Sequence, residues 1–286
     1  MNIHLISRIK RKIKQTFSKK IPIYIPIFQG ELMKNKTVLV TGGTSGIGFA
    51  IAKEVLLNKG NVIITGRSEK RIEKACNELK STKGINGEIY GFVMDNSDIG
   101  KQKDVFESII SNIDGKQIDV LVNNAGLVGG NFGDLDEKLY DNIMNTNLKG
   151  TFFMCQIVAN YMKKRGIQGN ILNVASSSSL RPAYSAYTLS KWGIRGLTLG
   201  LAKALIPYGI VVNGIAPGAT ATPMLTEETN NLMLPTSPEE RYADAQEIAN
   251  MAVMLMSDTG RMVVGDILYM TGGSGLITFD EIKYNF

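Results

Sequence analysis

From residue 37 onward, short β-branched runs alternate with longer helical patterns. The strand candidates are TVLVT (37–41), NVIIT (61–65), EIYGFVM (88–94), IDVLVNN (118–124), GNILNVAS (169–176), GIVVNGIA (209–216) and VVGDILYM (263–270). Helical patterns lie between them over 46–59, 69–80, 101–113, 136–165, 185–206 and 239–257. The first, second and sixth strands are nearly continuous apolar runs. A strand wetted on one face alternates, whereas one covered on both faces does not, so these runs predict a parallel sheet. The expected fold is α/β: a doubly wound parallel sheet of about seven strands with helices on both faces, in one domain over 34–286.

Charge separates that domain from what precedes it. Residues 1–36 hold nine Lys/Arg against the single acid Glu31, while the rest of the chain holds 23 basic and 25 acidic groups. The basic pI belongs to the first residues, and the body offers no electrostatic case for nucleic acid. Residues 1–33 are read as a basic N-terminal extension. Within it Ile6, Ile9, Ile13 and Phe17 follow helical spacing among lysines and arginines, which suits an amphipathic helix on an anionic membrane surface. A segment packed on a neighbouring subunit, or one without fixed structure, is the alternative. IPIYIPIF (21–28) reads as extended, because proline recurs in it. Met33 precedes KNKTVLVTGG and is a second candidate for the first residue of the working protein. No apolar run approaches the ~18 residues of a membrane span.

Cys76 and Cys155 stand far apart and outside any C-x-x-C pair, so reduced thiols and a reducing, cytoplasmic setting are expected. The only histidine is His4, which excludes a Ser-His-Asp triad from the body. No metal-ligand cluster is visible.

The stretch TVLVTGGTSGIGFAIAKEVL (37–56) places four glycines where the first strand hands over to the first helix. Gly42 and Gly43 permit a tight turn with positive φ; Gly46 and Gly48 let the backbone approach a ligand and a neighbouring strand. N–H groups at the start of the helix then face the turn and make a phosphate site. After the first strand of a parallel sheet, this is a dinucleotide (Rossmann-type) site.

The spacing T-G-x-x-x-G-x-G resembles the short-chain dehydrogenase/reductase family, and the resemblance runs from residue 36 to about 275. TGGTSGIG (41–48) is similar to its cofactor loop, NNAG (123–126) to the end of its fourth strand, and NTNLKG (145–150) to the segment bearing its asparagine. NVASSSS with YTLSK (187–191) resembles its serine and Tyr-x-x-x-Lys pair, and APGATATP (216–223) the loop after its sixth strand. The resemblance implies an oxidoreductase that moves a hydride between a nicotinamide cofactor and a carbonyl or secondary alcohol. Homo-oligomers, dimers or tetramers, are common in such a family. A catalytically silent nucleotide-binding regulatory or scaffold protein is the alternative, disfavoured because a pure binder has no need of Tyr187.

Tyr187 and Lys191 are four apart and share one helix face. An ammonium about 5 Å from a phenol, at an effective dielectric of about 20, favours the phenolate by roughly 3 kcal/mol, or about two pKa units. Tyr187 is the expected general acid/base. By resemblance, Lys191 also holds the ribose, Asn147 supports a helix kink and a lysine-linked water, and Ser176 polarises the substrate oxygen. Ser177 is the alternative serine, since the Ser176-to-Tyr187 interval is shorter than usual for the family.

The cofactor expected is NADP(H), with NAD(H) second. The second strand ends in Thr65-Gly66-Arg67-Ser68, with no carboxylate for a ribose 2′-OH and with Arg67 to pair a 2′-phosphate. The family's other frequent basic position, before Gly46, is Ser45 here. Thr44 and Ile47 belong to the same cofactor loop. Asp95 and Asn96 resemble an adenine-contacting pair. Asn123, Ala125 and Gly126 are expected to line the cofactor, and Pro217, Gly218, Thr220 and Thr222 to approach the nicotinamide amide. Met224, Leu225, Leu232, Met233 and Leu234 are read either as an apolar lid over a small-molecule carbonyl or alcohol or as packing on the body. Arg181 and Tyr184 are further pocket candidates.

Overall fold

Strand β1 (Thr37–Thr41) is buried along its whole length, with Val38 and Val40 facing one core and Leu39 the other. The computed structural model describes residues 30–133, 135–225, 233–234 and 237–275. Strand β2 (Asn61–Gly66) repeats the pattern: Val62 and Ile64 face the first core, Ile63 the second. Successive side chains leave a strand on opposite faces, so a run that is apolar at every position needs cover on both. Strands β3 (Ile89–Val93), β4 (Val120–Asn123), β5 (Asn170–Val174), β6 (Val211–Pro217) and β7 (Ile267–Met270) complete the sheet. The order is β3-β2-β1-β4-β5-β6-β7, and every neighbouring pair is parallel.

The helices are α1 (Gly46–Leu57), α2 (Glu69–Lys80), α3 (Ile99–Ser111), α4 (Glu137–Met144), α5 (Gly150–Arg165), α6 (Ala186–Leu205) and α7 (Ala245–Met256). Apolar side chains of α1, α2 and α7 fill the core on one face of the sheet. Those of α3, α5 and α6 fill the other. The doubly wound fold expected from the sequence is the one observed. The chain winds outward from β1 to β3, then returns to place β4 on the other side of β1. That reversal opens a crevice at the C-terminal ends of β1 and β4, where open α/β sheets bind their ligands.

Three elements depart most from the periodicity. Helix α7 starts at Ala245, not 239, because Asp244 and Glu247 form a capping box that pins its first turn. Strand β7 starts at Ile267, not 263, because the Asn213 amide takes both the Val263 carbonyl and the Asp266 N–H and holds that stretch as a turn. The long helix expected over 136–165 is interrupted by a π-helical turn, Asn145–Lys149.

The chain just ahead of β1 is packed as well. Met33 is fully buried against the α1 core, and its N–H donates to the Asn58 carbonyl at 3.1 Å. Glu31 pairs with Lys34 at 3.0 Å and with Lys59. The amphipathic pattern over 6–17 and the IPIYIPIF stretch lie outside the described residues. Among the described residues no helix is long and apolar enough to cross a membrane. Truncating Met33 removes a fully buried side chain, so Met33→Ala is expected to lose about 2–5 kcal/mol. A lower urea midpoint with an unchanged m-value is the signature; an unchanged midpoint would remove Met33 from the core.

Candidate active site

Thr41, at the end of β1, stitches the crevice together. Its Oγ1 accepts the backbone N–H groups of Asn124 and Ala125 at 3.0 and 3.1 Å. The Asn124 amide donates back to the carbonyls of Thr41 and Gly42 at 3.2 and 2.9 Å. The loop after β4 is thereby tied to the glycine turn after β1. A Cβ on Gly48 would lie 2.4 Å from Asn124 Nδ2 and 2.5 Å from the Gly42 carbonyl, so only glycine lets α1 begin this close. Gly42 and Gly46 have positive φ. Gly43, expected to share that conformation, does not; it instead approaches the Ile64 side chain.

The start of α1 differs from those of α2, α4, α6 and α7. Ser68, Asp136, Ser185 and Asp244 each cap a helix with a side-chain oxygen. Ser45 sits at the same position of α1, but its side chain makes no cap bond. The first-turn amides are left for an external acceptor, with the helix dipole adding positive potential. A dinucleotide pyrophosphate fits this cradle. Ile47 sits in the first turn of α1, beside Gly46 and Gly48. Thr222, in the loop after β6, closes over the turn, 3.3 Å from where a Gly46 Cβ would stand. Thr44 packs its methyl group towards Gly66 at the end of β2, and Arg67 beyond it is exposed.

Several expected cofactor residues turn their side chains elsewhere. Asn123 points into the sheet, donating to Asn173 Oδ1 at 2.9 Å and to the Cys155 sulfur at 3.1 Å. Asn173 continues to Thr198 Oγ1 at 3.0 Å, which makes a buried polar row under the site. Burial pushes the Cys155 thiol up to about 12, so it stays protonated and inert. Asp95 Oδ1 accepts from the N–H and hydroxyl of Ser97. Asn96 donates to the Thr146 carbonyl at 2.7 Å, inside the π turn. Thr220 is buried and donates to the Gly218 carbonyl, just after Pro217 at the end of β6.

The π turn presents Asn147 to the crevice. Its Oδ1 accepts the Leu127 N–H at 2.8 Å, while Nδ2 donates to the Leu127 carbonyl at 2.9 Å. Nδ2 also donates to Ser190 Oγ at 3.0 Å. Ser190, fully buried between Tyr187 and Lys191, donates in turn to the Tyr187 carbonyl at 2.6 Å. One asparagine thus fixes the loop after Gly126 against the start of α6. A wide turn is possible here because the following Gly150 lies against the Asn96 carbonyl, 2.0 Å from where its Cβ would be. Sequence reasoning singled out Asn147 but missed Thr41, Asn124 and Ser190. All three lie inside the quoted motifs, yet their partners are 83, 83 and 43 residues away.

Ser176, Tyr187 and Lys191 meet at the C-terminal end of β5. Ser176 caps a short 3₁₀ turn by accepting the Ser178 N–H at 3.1 Å, and its hydroxyl hydrogen-bonds the Tyr187 phenol. Ser176, not Ser177, is therefore the serine beside the tyrosine. Lys191 is buried, with Nζ 5.7 Å from the Tyr187 ring centroid and donating to the Val174 carbonyl at 2.7 Å. Burial pushes the Tyr187 phenol above its ordinary value, opposed by the Ser176 hydrogen bond. Burial also pushes Lys191 down to about 8. The phenol is thus less acidic than the helix spacing predicted, because desolvation outweighs the Ser176 hydrogen bond.

Tyr184 and Phe132 line a cavity of about 540 Å³ beside the start of α6. Arg181 turns away from that cavity and donates to the Ser274 carbonyl at 2.9 Å. Met224, Leu225 and Met233 are more than half exposed, so they do not pack into the core; Leu232 lies outside the described residues. Among the described residues no group of three His, Cys, Asp or Glu side chains is placed to hold a metal.

The sheet order, with the glycine turn at its reversal, defines a doubly wound, Rossmann-type protein. The short chain dehydrogenase family profile matches residues 36–232, and the chain belongs to that family. It is 33% identical to a 3-oxoacyl-[acyl-carrier-protein] reductase of Thermotoga maritima, over 84% of this chain and 98% of that one. It is 32% identical to a 3alpha-hydroxysteroid dehydrogenase of Mediterraneibacter gnavus (85% and 98%) and 31% to a gluconate 5-dehydrogenase of Gluconobacter oxydans (82% and 93%). Among solved structures, levodione reductase superposes with a TM-score of 0.78 at 28% identity, covering 85% of this chain and 98% of that one. These relatives are oxidoreductases, and a dehydrogenase/reductase role follows for this chain.

The lysine makes a test of the electrostatics. Its folded pKa of about 8 lies below the ordinary 10.5, so between those values the unfolded chain binds more protons and stability rises with pH. Lys191→Met removes that cost. After allowing for the lost Val174 hydrogen bond, the cofactor-free variant is expected to be more stable than the parent by roughly 1–3 kcal/mol near pH 7. The advantage shrinks as pH rises towards about 10. Urea midpoints of both proteins across that range decide it; a gap that does not change with pH contradicts a buried ammonium.

Proposed function

We propose that this protein transfers a hydride between NADP(H) and a small-molecule carbonyl or secondary alcohol, with Tyr187 as the general acid/base. The observation that carries the reading is the meeting of Ser176, Tyr187, Lys191 and the Asn147-pinned loop beside a cradle suited to a dinucleotide. A bound nicotinamide cofactor supplies or accepts the hydride. The chain's own groups handle the proton and the geometry. Tyr187 gives the proton to the substrate oxygen in reduction and takes it in oxidation. Ser176 donates a hydrogen bond to the same oxygen. Lys191, protonated at neutral pH, keeps a positive charge one helical turn from the phenol. Asn147 holds the Leu127 backbone and, through Ser190, the turn of α6 that carries the tyrosine. A phenol kept protonated by burial suits carbonyl reduction, where a proton must be given.

The preference for NADP(H) rests on the end of β2, where residues 65–68 hold no carboxylate and exposed Arg67 can pair a phosphate. The named relatives act on an acyl thioester, a steroid and a sugar acid, and what those substrates share is the carbonyl/carbinol couple. That couple is the substrate class assigned here.

Tyr187→Phe removes the only proton-transferring atom of the proposal. Turnover is expected to fall by about 10²–10⁴-fold while cofactor affinity stays within about twofold, measured by absorbance of the reduced nicotinamide and by calorimetry. Full activity in that variant would overturn the mechanism. In the parent enzyme, alcohol oxidation should climb with rising pH and carbonyl reduction should decline, since one needs the phenolate and the other the phenol.

A further inference from the structure

Helix α3 carries an amide in a row whose other core positions are apolar. Gln102, Phe106 and Ile109 are its buried residues, and Ile113 continues the row. Gln102 is fully buried, and its Nε2 donates at 3.0 Å to two carbonyls, those of Asn96 and Gly150. Asn96 in turn donates Nδ2 to the Thr146 carbonyl at 2.7 Å. Thr146 lies in the π turn Asn145–Lys149 and Gly150 follows it, so the two amides grip the chain on both sides of Asn147. The side-chain oxygens of Asn96 and Gln102 are buried without a hydrogen-bond partner, which costs stability. Packing alone would be met by an apolar side chain at 102, whose burial leaves no side-chain oxygen unpaired. What the Gln102 amide adds is direction: its N–H groups join the loop after β3 to the far end of the π turn.

We propose that Gln102 is a positioning residue for the reaction, fixing the π turn so that the Asn147 amide meets both the N–H and the carbonyl of Leu127; this rests on the hydride-transfer reading above. A π-helical turn is the wider and rarer alternative to an α-helical one, so it needs contacts that hold it. Asn96 and Gln102 supply them from outside the helix. Losing Gln102 is expected to loosen Asn147 from Leu127 and from Ser190, which carries the tie to the Tyr187 carbonyl. Being fully buried, Gln102 acts through Asn147 and not on the substrate.

The test reads turnover and local protection together. The full chain is compared with its Gln102→Met and Asn96→Ala variants, and with Gln102→Leu as a second, shorter apolar replacement. Rates are measured with NADPH and a panel of ketones that includes ethyl acetoacetate, NADPH affinity by calorimetry, and amide hydrogen exchange by NMR. Gln102→Met is expected to lower kcat by about tenfold or more, with KM and NADPH affinity within about twofold. Exchange of the Leu127 N–H should quicken by at least about tenfold relative to the amides of β1. Asn96→Ala should give a smaller change of the same kind. An unchanged kcat, or Leu127 protection equal to the parent's, would overturn the proposal. A fall in kcat matched by weaker NADPH binding and by faster exchange throughout β1 would overturn it too, because that pattern is general loosening. A parent that reduces no ketone with NADPH or NADH would sink the hydride-transfer reading, and Leu127 exchange would then decide alone whether Gln102 holds the turn.

Discussion

The Thr41 hydroxyl accepts two consecutive backbone N–H groups from the loop after β4. Much of the site depends on that small contact. It joins the two strands between which the winding of the sheet reverses, at the level where their C-terminal ends open to solvent. Once β1 and β4 are clasped, the glycine turn and the Asn124 loop define a single wall. Helix α1 can then begin only a hydrogen-bond length from Asn124, which accounts for a position that tolerates no Cβ. The unused first-turn amides of α1 point into the space the clasp has made.

The same loop is held from its other end by Asn147. An amide side chain that meets both the N–H and the carbonyl of Leu127 replaces the pairing a neighbouring strand would supply. The π turn aims that amide, and the turn itself leans on Asn96, whose side chain bonds the Thr146 carbonyl. From Asn147 the chain of hydrogen bonds runs through Ser190 to the Tyr187 backbone. The glycine turn and the tyrosine helix are therefore parts of one hydrogen-bonded frame.

Charge and burial compete inside that frame. Lys191 is buried near a carbonyl and close to the tyrosine ring, and its own ammonium is made easier to deprotonate by the loss of water. The phenol is likewise held in its neutral form by desolvation. A lysine one helical turn from a tyrosine does not by itself yield a phenolate. The dielectric of the pocket decides how much of the Coulomb attraction survives the cost of burying both groups.

The fold was legible in the primary structure because the winding rests on local signals: β-branched runs without alternation at β1 and β2, and helical periodicity between strands. The family was legible for a related reason, and so were Asn147, Tyr187 and Lys191 as residues to look for together, since each belongs to a short motif whose spacing survives in one dimension. The sequence could not show that Asn123 turns into the sheet toward Asn173, that Asn96 serves the π turn, or that Ser176 rather than Ser177 meets the phenol. The first two outcomes depend on side chains that meet across 50 residues of sequence, and the third on how the turn after β5 folds against α6. Gln102 shows this most directly: its amide reaches the Gly150 carbonyl only because α3 packs beside α5. Short-range periodicity and spacing determined the layers and the chemical types available to the site. Long-range packing, with the hydrogen bonds and desolvation it imposes, decided which atoms meet and in what protonation state.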